Sequence, residues 1–475
     1  MGGNPGTSSG QASSPSSLGL DIPLLQQNRS GAGQTLALDV PTYPVNVVLG
    51  RPTQTEITVS VLAHQDGEGY LDYGTQPGAY IGKTTVRPLA KGQPLEIVLN
   101  NLQPDTQYFY RLYFRTGSSA FTPLEERGFH TQRGPGSPFT FVIQADSHLD
   151  SNSSLEVYAR TLANQRADNP DFMVDLGDTF MTDKYQPFHE AQKQYLAQRY
   201  FFGRVAPSPA FLVLGNHDGE GAVRGNTASD MSVWSARLRT QHFPNPLPGG
   251  IYTGNATPDP QAGPLQNYYA WEWGDALLVV LDPYWFTPPQ RGETDNWSPT
   301  LGRAQYEWLK KTLENSKAKW KFVFIHQLVG GLGRDGRGGA EAARFFEWGG
   351  QGAAGRDEFA QKRPGWAMPI HQLLVRNGVG AVFHGHDHLF VKQDLDGIVY
   401  QEVPQPSNAR FGNTNSAREY GYLSGEVRGG PGHLRVRVSA AQVSVEYVRS
   451  YLPQDENAQR KNGQVDYAYT LEARP

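Results

Sequence analysis

The stretch "FTFVIQADSHLD", residues 139–150, runs apolar through Ile143 and then places Asp146 and His148 two positions apart, where a strand should run out. Four later segments repeat this form, an apolar run closed by polar donors: "DFMVDLGD" (171–178), "AFLVLGNHD" (210–218), "KFVFIHQ" (321–327) and "GAVFHGHDH" (380–388). Between them lie helical patterns such as "LGRAQYEWLKKTLENS" (301–316), where Leu301, Gln305, Leu309 and Leu313 recur every four residues with Trp308 and Thr312 beside them. Apolar strands separated by helices predict an α/β domain. In open α/β sheets, ligands bind beyond the carboxyl ends of the strands, so polar strand ends from distant parts of the chain can converge on one site.

The converging residues are Asp146 and His148, Asp178, Asn216 with His217 and Asp218, His326, and His386 with His388. Alternation along a strand sends residues two apart to one side, so Asp146 with His148, and His386 with His388, are expected to face one pocket. This set exceeds what one tetrahedral zinc needs. A pair of ions bridged by a carboxylate would use it all, and carboxylate with imidazole suits Mn, Fe or Zn. The absence of cysteine removes disulfides, thiolate nucleophiles and thiolate ligands together. The competing reading, buried polar groups without a metal, must find each of these residues a partner or leave it at a cost of several kcal/mol. His384 shares the parity of His386 but lies one step deeper, as expected of a hydrogen-bonded core residue, and His189, His242, His371 and His433 stand apart from any motif.

Upstream, from about Leu36 to His130, the period changes. "TEITVSVL" (55–62) places Ile57, Val59 and Val61 on one face, and "PLEIVL" (94–99) does so with Leu95, Ile97 and Leu99. In "NNLQPDTQYFYRLYF" (100–114), Pro104 and Asp105 mark a turn before Tyr108, Tyr110 and Leu112 resume the alternation. Short strands without helical segments predict a small antiparallel β-sandwich. The C-terminal "HLRVRVSAAQVSVEYVRSYLP" (433–453) and "GQVDYAYTLEA" (463–473) return to alternation and are expected to complete a second sheet. The expected division is a Gly/Ser/Pro-rich tether over 1–35, the sandwich over 36–132 and a catalytic α/β domain over 137–475.

A formal charge of −4, with acids and bases interspersed, leaves no footprint for nucleic acid or an anionic membrane. No apolar stretch approaches the length of a membrane span. The start "MGGNPGTSSGQASSPSSLG" reads as a tether of the kind that follows a removed export signal, so a periplasmic or extracellular chain is expected, with a cytoplasmic one the alternative.

Taken in order, "DSH", "GDTF", "GNHD", the isolated His326 and "GHDH" resemble the signature of the calcineurin-like metallophosphoesterases over roughly residues 137–405. The resemblance implies two mixed sheets sandwiched together and flanked by helices, with a dinuclear centre at the strand ends. It implies that Asp146, His148 and His388 ligate one metal, that Asp178 bridges, and that Asn216, His326 and His386 ligate the other. His217 is then the non-ligand histidine facing the substrate. The segment 100–114 also resembles a fibronectin type III module, which precedes the catalytic domain in purple acid phosphatases and their relatives. Two positions depart from that subgroup: His148 stands where it has Gly, and Met181 where it has a ligand Tyr. The resemblance therefore implies a wider group of bacterial phosphoesterases without the colour-giving tyrosinate.

The expected activity is hydrolysis of a small phosphate ester by metal-activated hydroxide, without a covalent phosphoenzyme. His217 would stabilise the phosphoryl oxygens or protonate the leaving alkoxide, with Asp218 orienting it. Asn216, Arg334 and Arg337 are the candidate substrate contacts, the arginines lying in the Gly-rich stretch after His326. Tyr284, Trp285 and Phe286 are candidates for the pocket wall. The domain layout points to monoesters. A phosphodiesterase on the same core is the alternative, and a catalytically silent binding or adhesion protein is the alternative of another class.

Overall fold

The computed structural model describes residues 44–472 except 151, 186, 206–207, 223–226, 228 and 289–294. The tether expected over 1–35, and the export that rests on it, lie outside the described residues.

Alternation in the N-terminal part produces two antiparallel sheets. Val45–Gly50, Ile57–Ala63 and Leu95–Leu99 form the first. The second is built on Gly67–Gly74 and Gln107–Arg115, with Gly82–Lys83, Arg87–Leu89, Thr122–Pro123 and Arg127–His130 at its margins. The faces read from the sequence meet in one core, where Ile57, Val59, Val61, Ile97 and Leu99 pack against Leu71, Tyr108, Tyr110 and Leu112.

Beyond His130 the chain forms two mixed sheets packed face to face. The first holds parallel strands Phe139–Gln144, Phe172–Asp175 and Ala210–Leu212. The C-terminal strands Gly432–Val438, Val443–Arg449 and Val465–Leu471 extend this same sheet, entering it antiparallel to Phe139–Gln144. They are antiparallel, as expected, and complete the six-stranded sheet of Phe139–Gln144, because Gly432–Val438 pairs along the free edge of that strand. The second sheet has eight strands, with Ala276–Val280, Trp320–Phe324, Ala381–His384 and Ile398–Glu402 parallel at its centre. Phe141, Ile143 and Val174 of one sheet and Leu278, Phe324 and Phe383 of the other share a single core.

Helices cover both outer faces, which gives parallel strands the double burial they need. Helix α1 (Leu155–Ala167), capped by Ser154 Oγ, and α2 (Gln192–Val205) lie over the first sheet. Helix α3 (Met231–His242) adds Leu238 to the same layer. Helix α4 (Gly302–Asn315) buries Tyr306, Leu309 and Leu313 against the second sheet, the face its spacing predicts. No helix among the described residues is long and apolar enough to cross a membrane.

Helix α2 also meets the N-terminal sheet. Buried Arg199 donates through Nε to Asn46 Oδ1 (3.2 Å), through Nη1 to Ser60 Oγ (3.0 Å) and through Nη2 to the Ser60 carbonyl (2.9 Å), and Asn46 Nδ2 returns a bond to the Arg199 carbonyl (2.6 Å). A Cβ on Gly203 would overlap Asn46, so the helix approaches as closely as a glycine allows. Burial pulls the Arg199 guanidinium down to about 9.

Candidate metal centre

The donor-bearing segments leave their strands before the donors are reached. Phe139–Gln144 ends short of Asp146, and Ala381–His384 ends short of His386. Strand alternation is therefore not what gathers these residues. Asp146, His148, Asp178, His386 and His388 all have left-handed backbone, with φ of 60°, 58°, 54°, 80° and 60°. Such conformations cost a non-glycine residue roughly 1–3 kcal/mol each and persist only when the surroundings hold them. Here each turn holds the next: Asp146 N–H donates to the Gly177 carbonyl (2.9 Å), His148 N–H to the Asp178 carbonyl (3.2 Å), and His386 N–H to Asp146 Oδ2 (2.9 Å). Glycines let the turns approach. A Cβ on Gly215 would overlap Asp178, and one on Gly385 would lie 2.7 Å from Asp146 Oδ2.

The donors fall into two groups, Asp146 with His148 and His388, and Asp178 with His326 and His386, the ligand atoms of each lying within 4.8 Å of one another. Asp178 Oδ2 stands 3.6 Å from His148 Nε2 and 3.5 Å from His326 Nε2, so this one oxygen faces both groups. Asn216 Oδ1 lies 3.1 Å from His326 Nε2. Outward bonds set which ring nitrogen faces in: His326 Nδ1 is 2.8 Å from the Leu176 carbonyl, and His386 Nε2 is 2.9 Å from the Asp335 carbonyl. Those outer nitrogens must carry protons, so Nε2 of His326 and Nδ1 of His386 are the ring nitrogens that face inward, His326 Nε2 toward Asp178 and Asn216. Asp146 Oδ1 and His148 Nε2 are buried without a hydrogen-bond partner. A buried carboxylate oxygen and a buried imidazole nitrogen left unpartnered beside further carboxylate and imidazole groups suit a cation, and carboxylate, amide and imidazole donors fit a divalent first-row ion.

Charge within the cluster agrees. Burial opposes ionisation of both carboxyls, yet His388 and His326 hold Asp146, and His326 and His148 hold Asp178, well below the usual range. Burial also opposes charging of His326, but Asp178 and Asp146 carry it up to about 9. A metal must displace that proton. Affinity for Zn²⁺ or Mn²⁺ is thus expected to weaken steadily as pH falls below about 9, with proton release on binding. Calorimetry in buffers of different ionisation heat measures this, and a pH-independent affinity would contradict it.

Above the centre opens a cavity of ≈ 590 Å³ whose lining includes Asp183, Asn216, His217, Tyr284, Arg334 and His386. His217 Nδ1 lies 2.9 and 3.0 Å from the two oxygens of Asp183. Asp183, not Asp218, therefore orients His217. Asp218 instead clasps two turns, its oxygens accepting the backbone N–H groups of Asp178, Thr179 and Phe180 and, within its own turn, of Gly215 at 2.8–3.1 Å. Burial, followed by the charge of Asp178, pushes its carboxyl up to about 7. Asp183 went unread in the sequence because it sits five residues past Asp178 in a 3₁₀ turn, off any strand end.

The remaining candidates separate in space. Arg337 Nη1 is committed to Asp387 Oδ1 at 2.7 Å and the guanidinium stacks on Tyr420 at 4.1 Å, so Arg337 lines the cavity as a fixed wall and not as a free clamp. Arg334 is exposed at the cavity edge, with no side-chain partner among the described residues. Of the three aromatics, Tyr284 alone lines the cavity; Trp285 is buried against Val233 and Ala236, and Phe286 packs beside Tyr268. His384 is buried, its Nδ1 2.7 Å from Glu402 Oε2. His189, His242, His371 and His433 lie outside the two donor groups. Met181 is buried in the apolar layer with Phe180 and Tyr195, away from ligand chemistry.

The family profile of calcineurin-like phosphoesterases matches residues 139–390, more than half of the chain. The chain belongs to this family. Like its family, this phosphoesterase is a hydrolase of phosphate esters that uses metal ions. Among solved structures, one of PhoD aligns with a TM-score of 0.61 at 14% identity, covering 94% of this chain and 92% of its own. Purple acid phosphatase PPD1 from yellow lupin (Lupinus luteus) seeds aligns with a TM-score of 0.57 at 16% identity, covering 90% and 74%. At these identities the likeness shows a shared fold. No curated protein sequence matches this phosphoesterase.

Proposed function

We propose that the protein is a phosphomonoesterase with a dinuclear metal centre and no covalent phosphoenzyme. The observation that carries this reading is Asp178 Oδ2 facing both donor groups beneath a cavity walled by His217. When bound, two divalent ions supply Lewis-acid activation of water and charge to bind phosphoryl oxygens. Asp146, His148 and His388 would hold one ion, and Asn216, His326 and His386 the other, with Asp178 between. Asp183 fixes the Nδ1–H of His217, so Nε2 is the nitrogen that presents a proton to the leaving oxygen, and the carboxylate stabilises the imidazolium. The strands over 45–130 serve as the fibronectin III-like module of a 36–132 domain, ahead of a catalytic domain over 137–475. Preference for monoesters rests on this layout, which the lupin phosphatase supports.

Aryl phosphate monoesters and diesters, assayed with and without a chelator, test the reading. Monoester turnover abolished by chelation and restored by Mn²⁺ or Zn²⁺ is expected. Faster diester turnover would turn the assignment to a phosphodiesterase, and no turnover with both ions loaded would favour a binding protein. Arg334, exposed at the cavity edge and without a side-chain partner among the described residues, is the residue proposed to meet a substrate anion. Arg334→Ala should raise KM about 10-fold with little change in kcat, the worth of one charged hydrogen bond. An unchanged KM would remove it from the site.

A further inference from the structure

Behind the centre lies a polar ring that the chemistry above does not use. Gln198 Oε1 accepts from Tyr158 OH (3.0 Å), and that hydroxyl accepts from Gln144 Nε2 (3.1 Å). Gln144 Nε2 also donates to Asp175 Oδ2 (2.6 Å), while Asp175 Oδ1 accepts from Thr179 Oγ1 (2.6 Å). Gln198 Nε2 closes the ring on the Thr179 carbonyl (2.9 Å) and reaches Ser147 Oγ as well (2.8 Å). Every one of these side chains is at most 1% exposed. A buried network with its members paired is rigid, and its parts hold one another in place.

What the ring grips is the decisive point. Ser147 stands between Asp146 and His148, and Thr179 follows Asp178. One amide, that of Gln198, therefore ties the left-handed turn bearing two donors of the first group to the left-handed turn bearing the carboxylate that faces both. The next residue of α2 is Arg199, whose guanidinium is bound by Asn46 and Ser60 of the N-terminal sheet. We infer that Gln198 is a positioning residue for the metal centre, and that the N-terminal sheet acts on the centre through α2 by holding Arg199. This rests on the metal-binding reading proposed above. It gives the N-terminal sheets a role in a site to which they contribute no donor.

Gln198→Leu keeps most of the volume and removes all three hydrogen bonds. By chelator competition, the affinity of the full chain for Mn²⁺ should fall about 10- to 100-fold, the usual effect of losing an outer-sphere partner. The rise in melting temperature that Mn²⁺ gives the metal-free protein should shrink in step. A merely structural role would lower the melting temperature of the metal-free protein and leave Mn²⁺ affinity unchanged, and that result would overturn the inference. Should Gln198→Leu fail to fold, Ser147→Ala removes one acceptor alone and should still weaken Mn²⁺ binding. Asn46→Ala, which changes the sheet and not the ring, should weaken it by at least about 3-fold. Wild-type affinity in Asn46→Ala would overturn the role of the sheet, and in Ser147→Ala that of Gln198. A wild-type protein that takes up no Mn²⁺ would instead overturn the metal-binding reading, a distinguishable result.

Discussion

Asp178→Asn is expected to strip the centre of metal and to cut phosphoester turnover by roughly 10³-fold, since breaking a buried charge arrangement costs about 3–5 kcal/mol and each 1.36 kcal/mol is tenfold in rate. The substitution is nearly isosteric, so the loss would report charge and not shape. Asn keeps an acceptor for the His217 N–H, which donates to Asp178 Oδ1 at 2.8 Å. What changes is the atom at Oδ2, which lies 3.5–3.6 Å from the inner nitrogens of His148 and His326. An amide N–H there adds a donor where a cation should sit and removes the negative charge shared by both groups. Elemental analysis beside kcat decides the matter. A variant holding two equivalents of metal at the wild-type rate would remove Asp178 from the centre.

His217→Ala is expected to leave metal content intact while lowering turnover by about 10²-fold or more, the scale of a lost acid–base group. His217 lines the cavity yet belongs to neither donor group, so its removal spares the ions. Asp183→Asn should lower kcat by a smaller factor, about 10-fold, because the carboxylate that fixes the ring through Nδ1 is lost. Asp218→Asn supplies the contrast. Its carboxylate accepts four backbone N–H groups, so the variant should lose thermal stability while kcat of the folded fraction stays near the wild-type value. A lowered kcat in folded Asp218→Asn and an unchanged one in Asp183→Asn would reverse the assignment.

These two acids show where reading from the sequence stops. Asp218 follows His217 directly, and adjacency made it the natural partner. In the folded chain the backbone turns between them, so that Asp218 closes a local loop onto Gly215 while His217 reaches Asp183, 34 residues away. The same limit applies to the donors. Their types and order were legible, because a metal site needs carboxylates and imidazoles and the apolar runs before them mark strand ends. Their convergence was ascribed to alternation along strands, whereas left-handed turns beyond the strands bring it about. Gln198 carried no signal at all. An amide on a helix face becomes a tie only when two turns from elsewhere arrive beside it.

The periods of the apolar residues, two along the strands and near four along α4, are local properties, and they predicted the N-terminal sandwich, an α/β domain after it and the buried faces. The candidate donors were likewise named from a local signal, the polar residues that close the apolar runs. Which carboxylate meets His217, which arginine stays uncommitted among the described residues, and which sheet receives the C-terminal strands were settled by partners 34 to 299 residues apart choosing among several chemically equivalent options. A hydrogen bond is selected by position and direction, and those exist only after the backbone turns have packed.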